Sequence, residues 1–149
     1  MGRDCGYLAL VSALTSGAEL CLIPEIRHDL SKHEDEFKKQ IADGRRYFIA
    51  IVSEGIEENS DEIAKWFEEK VGIESRVVVL GHVQRGGNPT VYDRLMAYKF
   101  VNHAIDGLLR GEEKSVICYT KSGFAYKNIR EVVSAKQKLD PELLASITR

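Results

Sequence analysis

Apolar positions along the chain follow two rhythms. Tyr7, Leu8, Leu10, Val11 and Leu14 recur at helical spacing, and Gly17 follows as a stop signal. ELCLIP at 19–24 is a short apolar run ended by Pro24, which predicts a buried strand. Ser31 with Glu34 has the spacing of a capping box. It opens a predicted helix with Phe37 and Ile41 on one face and Gly44 beyond its end. RYFIAIV at 46–52 reads as a second buried strand. Ser60 is placed to cap a helix through Ile63, Ala64, Trp66, Phe67 and Val71, closed by Gly72.

The pattern continues with RVVVL at 76–80, a third predicted strand. Thr90 with Asp93 predicts the cap of a long helix through Leu95, Met96, Phe100 and Leu108 to Gly111. SVICY at 115–119 predicts a strand, and residues 125–135 a helix. DPELLASI at 140–147 predicts a last helix, with Asp140 as cap and Pro141 at its first position. Apolar strands alternating with amphipathic helices indicate an α/β chain: a parallel sheet covered on both faces. The stretch 86–89 is the expected place for the chain to pass to another lobe.

Composition narrows the function classes. The 149 residues allow one domain or one lobe of a larger protein. The formal net charge of −2 gives no global field for nucleic acid or an anionic membrane, so any anion recognition must be local. Cys5, Cys21 and Cys118 lie far apart without a CxxC spacing, which argues against a disulfide framework or zinc site and suits a reducing cytosol. His28, His33, His82 and His103 form no HExxH pattern. No apolar run approaches the roughly 18 to 20 residues of a membrane span, and no signal peptide is expected.

In open α/β sheets, ligands bind beyond the carboxyl ends of the strands. By that rule ELCLIPE delivers Glu25, RYFIAIVSEG delivers Glu54, and RVVVLGHVQRGG delivers His82, Gln84 and Arg85. A carboxylate for hydroxyls beside an Arg/His pair for phosphate suits a sugar phosphate. Plainer readings stand beside it. Glu54 could be a solvated loop carboxylate, His82 could bond its own loop, and Arg85 could pair with Asp93. Gly86 and Gly87 match neither the P-loop nor the GxGxxG pattern.

MGRDCGYLAL at the start, IVSEG at 51–55 and RVVVLGHVQRGGNPTVYDR at 76–94 together resemble the C-terminal half of bacterial-type 6-phosphofructokinases. The resemblance covers essentially the whole chain and weakens after about Gly111. It implies a three-layer sandwich, with a mostly parallel Rossmann-like sheet and helices on both faces. It implies a sugar-phosphate-binding lobe at 1–87, a segment at 88–135 that returns to the nucleotide-binding lobe, and a C-terminal helix and tail at 136–149. The implied reaction is a step of glycolysis. The terminal phosphoryl group of ATP, or pyrophosphate in some relatives, passes to the 1-hydroxyl of fructose 6-phosphate with Mg²⁺. The enzyme would be a cytoplasmic, allosteric homotetramer with substrate sites shared between subunits.

Carried over by motif, Met1, Gly2 and Arg3 match the MGR that lies against the sugar phosphate, with Arg3 also holding charge on the transferring group. Glu54 matches the carboxylate that accepts from sugar hydroxyls. His82, Val83, Gln84 and Arg85 match the HVQR motif, whose His82 and Arg85 would bind the 6-phosphate. Arg76 matches an arginine that reaches the neighbouring subunit's site. For an effector site, Gly17 and Glu19 match a glycine and a magnesium-binding glutamate, and Arg45, Arg46 and Tyr47 match a basic segment. Asp43 departs from the pattern: it stands where allosteric members carry a basic residue, and it would repel an effector phosphate. The plainer reading of Arg45 and Arg46 is a solvated basic helix end.

The family's glycine-rich nucleotide segments and general base lie upstream of the MGR motif, at which this sequence opens. The chain therefore reads as an internal start or a fragment, inactive by itself. The competing expectations are a non-catalytic sugar-phosphate-binding or subunit-assembly module, and an unrelated α/β enzyme with Glu54 as its base.

Overall fold

The computed structural model describes residues 3–85, 87–136 and 138–147, without the side chain of Arg85. Met1 and Gly2, both expected at the substrate site, lie outside the described residues. The chain divides into two units, Met1–Gln84 with Lys138–Arg149, and Arg85–Gln137.

The first unit is organised by two short parallel strands. β1 (Leu20–Leu22) pairs with β2 (Ala50–Val52), with Leu20 opposite Ala50, Cys21 opposite Ile51 and Leu22 opposite Val52. Side chains alternate across a strand, so a buried strand feeds two cores. Leu20 and Leu22 pack with Phe37, Ile63, Phe67 and Val71, and Val52 joins them. Cys21 and Ile23 pack with Leu10, Ala13 and Leu139, and Ile51 joins these.

The first core belongs to α2 (Glu34–Ala42) and α3 (Ser60–Trp66), the second to α1 (Tyr7–Ser16) and α6 (Pro141–Ile147). Helices thus cover both faces of the strand pair. Phe37 holds its core together through edge-on contacts with Phe48 and Phe67, at centroid distances of 5.0 and 5.1 Å. A π-helical turn, Phe67–Val71, continues α3 and ends at Gly72, whose φ of 82° closes it.

Local signals differ from expectation at two helix starts. Asn59, not Ser60, caps α3: its side chain accepts from the Glu62 amide at 2.9 Å, and Glu62 accepts the Asn59 amide at 3.0 Å. An asparagine one residue earlier satisfies the same orphan amides. Ser31 and Glu34 do not form a capping box. Ser31 instead donates its hydroxyl to Asp29 at 2.6 Å, and a 3-10 turn, Leu30–His33, leads into α2. At the other end of the chain the expectation holds, since the Glu142 amide donates to Asp140 at 2.9 Å at the start of α6.

Residues 76–80 do not pair as a strand. They have strand composition, but a strand needs a hydrogen-bonded neighbour. An open trench of about 1180 Å³ separates them from β2. The run 46–52 is correspondingly short of its expected length, since only Ala50–Val52 finds a ladder partner.

In the second unit α4 (Val91–Leu109) starts at a capping box in which Thr90 accepts from the Asp93 amide and Asp93 from that of Thr90. β3 (Ser115–Thr120) pairs antiparallel with β4 (Gly123–Asn128), and α5 (Ile129–Ser134) follows. The first part of the helix expected at 125–135 is therefore strand. Phe124 on β4 packs against Phe100 and His103 of α4 at centroid distances of 5.0 and 4.2 Å, and this aromatic contact outweighs local propensity. No helix among the described residues is long and apolar enough to cross a membrane.

Candidate functional site

The carboxyl end of β2 carries the first candidate cluster. After Val52 the chain turns through Ser53, Glu54 and Gly55. Arg3 donates from Nε to Glu54 Oε1 at 3.0 Å. The backbone of Arg3 runs against Gly55 so closely that an ideal Cβ on Gly55 would fall 1.6 Å from the Arg3 carbonyl oxygen. Glycine is required there because only a hydrogen fits.

Glu25, beyond the end of β1, accepts the Gly6 amide with both oxygens, at 2.8 and 3.0 Å. It ties the entry of α1, and hence the segment carrying Arg3, to the strand ends. The strand-end rule singles out Glu25, but its task is positional: residues 6 and 25 meet only through tertiary structure.

The Arg3–Glu54 pair is exposed, at 80 % and 48 % of the two side chains. A solvated pair of this kind contributes little to stability.

The second cluster follows residues 76–80. His82–Arg85 forms a 3-10 turn, HVQR, with His82, Val83 and Gln84 exposed. Gln84 donates its amide to the Leu80 carbonyl and so fixes the turn to the segment before it. Glu54, Gly81 and Gln84 all line the trench. The side chain of Arg85 lies outside the described residues. Asp93 is engaged by Thr90, whose amide and hydroxyl both donate to it at 2.8 Å.

Arg76 stands at the other end of the run, paired with Glu74 at 3.7 Å and almost fully exposed. Residues 76 to 81 of an extended chain cover roughly 16 Å. Arg76 therefore sits remote from the turn, though it also borders the trench.

The residues matched to an effector site form a third group, at the amino end of the sheet. Glu19 accepts from Arg45 and, at 2.7 Å, from the Ile49 amide. Arg45 also donates to Gln40 at 3.3 Å and lies 5.3 Å from the centre of the Phe48 ring. Gly17 takes a φ of 68° as the cap of α1, while Arg46 and Tyr47 are exposed. Both oxygens of Glu19 are used in holding the start of β2. No group of three or more His, Cys, Asp or Glu side chains able to hold a metal occurs among the described residues.

Burial pushes the Cys21 thiol up to about 11, which keeps it protonated and inert. The Thr90 amide and hydroxyl hold the Asp93 carboxyl below the ordinary aspartate value.

A parallel pair of strands covered by helices on both faces, with Arg3 and Glu54 meeting at the carboxyl end of β2, defines the class as α/β. Residues 1–108 match the sequence profile of the family described as phosphofructokinase. The chain belongs to the phosphofructokinase family.

The ATP-dependent 6-phosphofructokinase of Sulfurimonas denitrificans is 68 % identical over 149 residues, covering 100 % of this chain and 47 % of that protein. That of Wolinella succinogenes is 44 % identical over 150 residues, covering 100 % and 46 %. The crystal structure of Pichia pastoris phosphofructokinase in the T-state superposes with a TM-score of 0.73 at 32 % identity, covering 90 % of this chain and 16 % of that one. The chain spans about half the length of the curated relatives it matches.

Proposed function

We propose that this chain is the substrate-binding half of a 6-phosphofructokinase and binds fructose 6-phosphate at the carboxyl ends of its strands. The observation that carries the reading is the Arg3–Glu54 pair at the end of β2, in a chain whose HVQR turn follows the neighbouring run. Phosphoryl transfer depends on positioning and charge neutralisation more than on covalent chemistry. In that scheme Glu54 accepts from sugar hydroxyls, His82 and Arg85 clamp the 6-phosphate, and Arg3 holds charge on the group in transit. Met1, Gly2, Val83 and Gln84 shape the same pocket. Arg76 serves the site of an adjacent subunit in a homo-oligomer, as its distance from the turn allows.

ATP and Mg²⁺ bind mainly to the part of the relatives that this chain does not span, and the setting is cytoplasmic glycolysis. Phosphoryl transfer thus requires that missing part. The Asp43 carboxylate and the engagement of Glu19 argue against an effector phosphate at residues 17–19 and 43–47.

The test is calorimetric titration of the chain with fructose 6-phosphate, with a coupled assay alongside. Binding is expected to weaken tenfold or more in Arg85→Ala, as for loss of a charge-assisted contact. Turnover with ATP or pyrophosphate is expected to be absent. Binding indifferent to Arg85 and Glu54, or turnover by the chain that depends on Glu54, would refute the proposal.

A further inference from the structure

Each of the two paired strands delivers a carboxylate to the same short segment. Glu54, past the end of β2, accepts from Nε of Arg3 at 3.0 Å. Glu25, past the end of β1, accepts the Gly6 amide with both oxygens, at 2.8 and 3.0 Å. Residues 3–6 precede α1 and belong to no helix or strand. Arg3, Asp4 and Cys5 take part in no backbone–backbone hydrogen bond among the described residues. A stretch without ladder or helical bonds of its own takes its shape from whatever tethers it. Arg3 is therefore placed from outside its own segment.

The two ends of the segment press on different strand-end loops. An ideal Cβ on Gly55 would meet the Arg3 carbonyl oxygen at 1.6 Å, and one on Gly6 would meet Cβ of Ile23 at 2.4 Å. Van der Waals contact limits how near the segment comes but does not hold it there. The hold comes from the polar contacts, and the backbone one is that of Glu25.

The helix behind the segment explains why that residue is a carboxylate. No side chain caps α1, and its first turn carries no acidic residue. The free amides and the positive end of the helix dipole favour a negative charge there. Glu25 supplies it from the neighbouring strand end. Glutamine has one acceptor oxygen, so a symmetric grip on the Gly6 amide would set its NH₂ group against another donor.

We propose that Glu25 is a positioning residue for the sugar-phosphate site: it fixes Gly6 at the entry of α1, so sets where Arg3 stands, and through Arg3 orients Glu54, without itself touching the ligand. The strand ends thereby divide the work. The carboxylate after β2 faces the sugar, and the one after β1 holds the segment that brings the guanidinium beside it. The proposal rests on the reading of this rim as a fructose 6-phosphate site. Displacing a binding group by about 1 Å can cost up to about a hundredfold, so a slackened tether is felt in affinity.

The experiment uses the whole chain, Glu25→Gln, Arg3→Ala and the double variant. Glu25 is an exposed residue, so its replacement opens no cavity, and the circular dichroism spectrum is expected to match that of the parent. In calorimetric titrations with fructose 6-phosphate, Glu25→Gln is expected to bind about fivefold to tenfold more weakly than the parent. In the Arg3→Ala background the same replacement is expected to change affinity less than about twofold, since no guanidinium remains to be placed. Nitrogen-15 NMR reads the Arg3 Nε–H signal without ligand. In Glu25→Gln that signal is expected to move toward its position in Glu54→Gln, where the carboxylate partner is lost. Glu25→Asp keeps the charge but is one methylene short. It is expected to show the same dependence on Arg3, and it carries the comparison should Glu25→Gln unfold.

An equal loss of affinity in both backgrounds, or an Arg3 signal unmoved by Glu25→Gln, would overturn the proposal. The two readings fail separately. A parent chain that ignores fructose 6-phosphate, while Glu25→Gln still shifts the Arg3 signal, refutes the substrate reading and leaves the placement of Arg3 by Glu25. A chain that binds fructose 6-phosphate with affinity and Arg3 signal indifferent to Glu25→Gln does the reverse.

Discussion

Replacing Gly6 by alanine tests how tightly the entry to α1 is held. An ideal Cβ at this position would lie 2.4 Å from Cβ and 2.5 Å from Cγ2 of Ile23, and 2.8 Å from Oε2 of Glu25. Carbon atoms in contact sit about 3.5–4.0 Å apart, so the new methyl overlaps Ile23 by more than about 1 Å. Ile23 has nowhere to go: it is fully buried, packed with Leu10, Ala13, Cys21 and Leu139. The helix entry must move instead, and with it the Gly6 amide that donates to Glu25 at 2.8 and 3.0 Å.

Overpacking of a well-filled core costs about 1–3 kcal/mol. Weakening the hydrogen bond to a carboxylate adds to that, so a loss of about 2–4 kcal/mol is expected. Urea unfolding followed by circular dichroism measures it. Gly81→Ala is the control, since nothing lies within 4 Å of its Cβ and its φ is not left-handed. That variant should stay within about 0.5 kcal/mol of the parent. A Gly6→Ala chain as stable as the parent, or a Gly81→Ala chain equally damaged, would refute the argument.

Two further outcomes follow from the titrating groups. Because hydrogen bonds from Thr90 lower the Asp93 carboxyl, its contribution to α4 is present above the ordinary aspartate value and is lost as pH falls through the lowered one. Helicity should therefore drop on acidification below about pH 4 in the parent, with a smaller drop in Asp93→Asn; an identical acid profile would remove Asp93 from the account. Cys21, buried and raised to about 11, should resist a thiol reagent at neutral pH while Cys5 and Cys118, both partly exposed, react first. Its neutral thiol favours the folded chain at neutral pH, and that preference fades as pH rises from 9 toward 11. Mass mapping that found Cys21 labelled first would contradict its burial.

The sequence alone determined those features that depend on neighbours along the chain. Thr90 with Asp93, Asp140 before Pro141, and the glycines at 17, 44 and 72 mark helix ends by chemistry confined to a few residues, and the structure places caps at each. The apolar run of β1 was likewise legible, because a strand buried on both faces is apolar at every position.

Tertiary structure decided what depends on partners distant in sequence. Strand composition at 76–80 does not make a strand without a neighbour to bond it, and the residues at 123–128 become one because β3 and the aromatic face of α4 are there to receive them. At the site, the strand-end rule singled out Glu54 and His82 as candidates and the family resemblance added Arg3, but only the fold paired Arg3 with Glu54. Only the fold, too, turned Glu25 toward the Gly6 amide and spent both oxygens of Glu19 on Arg45 and Ile49. A side chain's type is local, whereas the hydrogen bonds available to it are set by whichever backbone the packing brings within 3 Å.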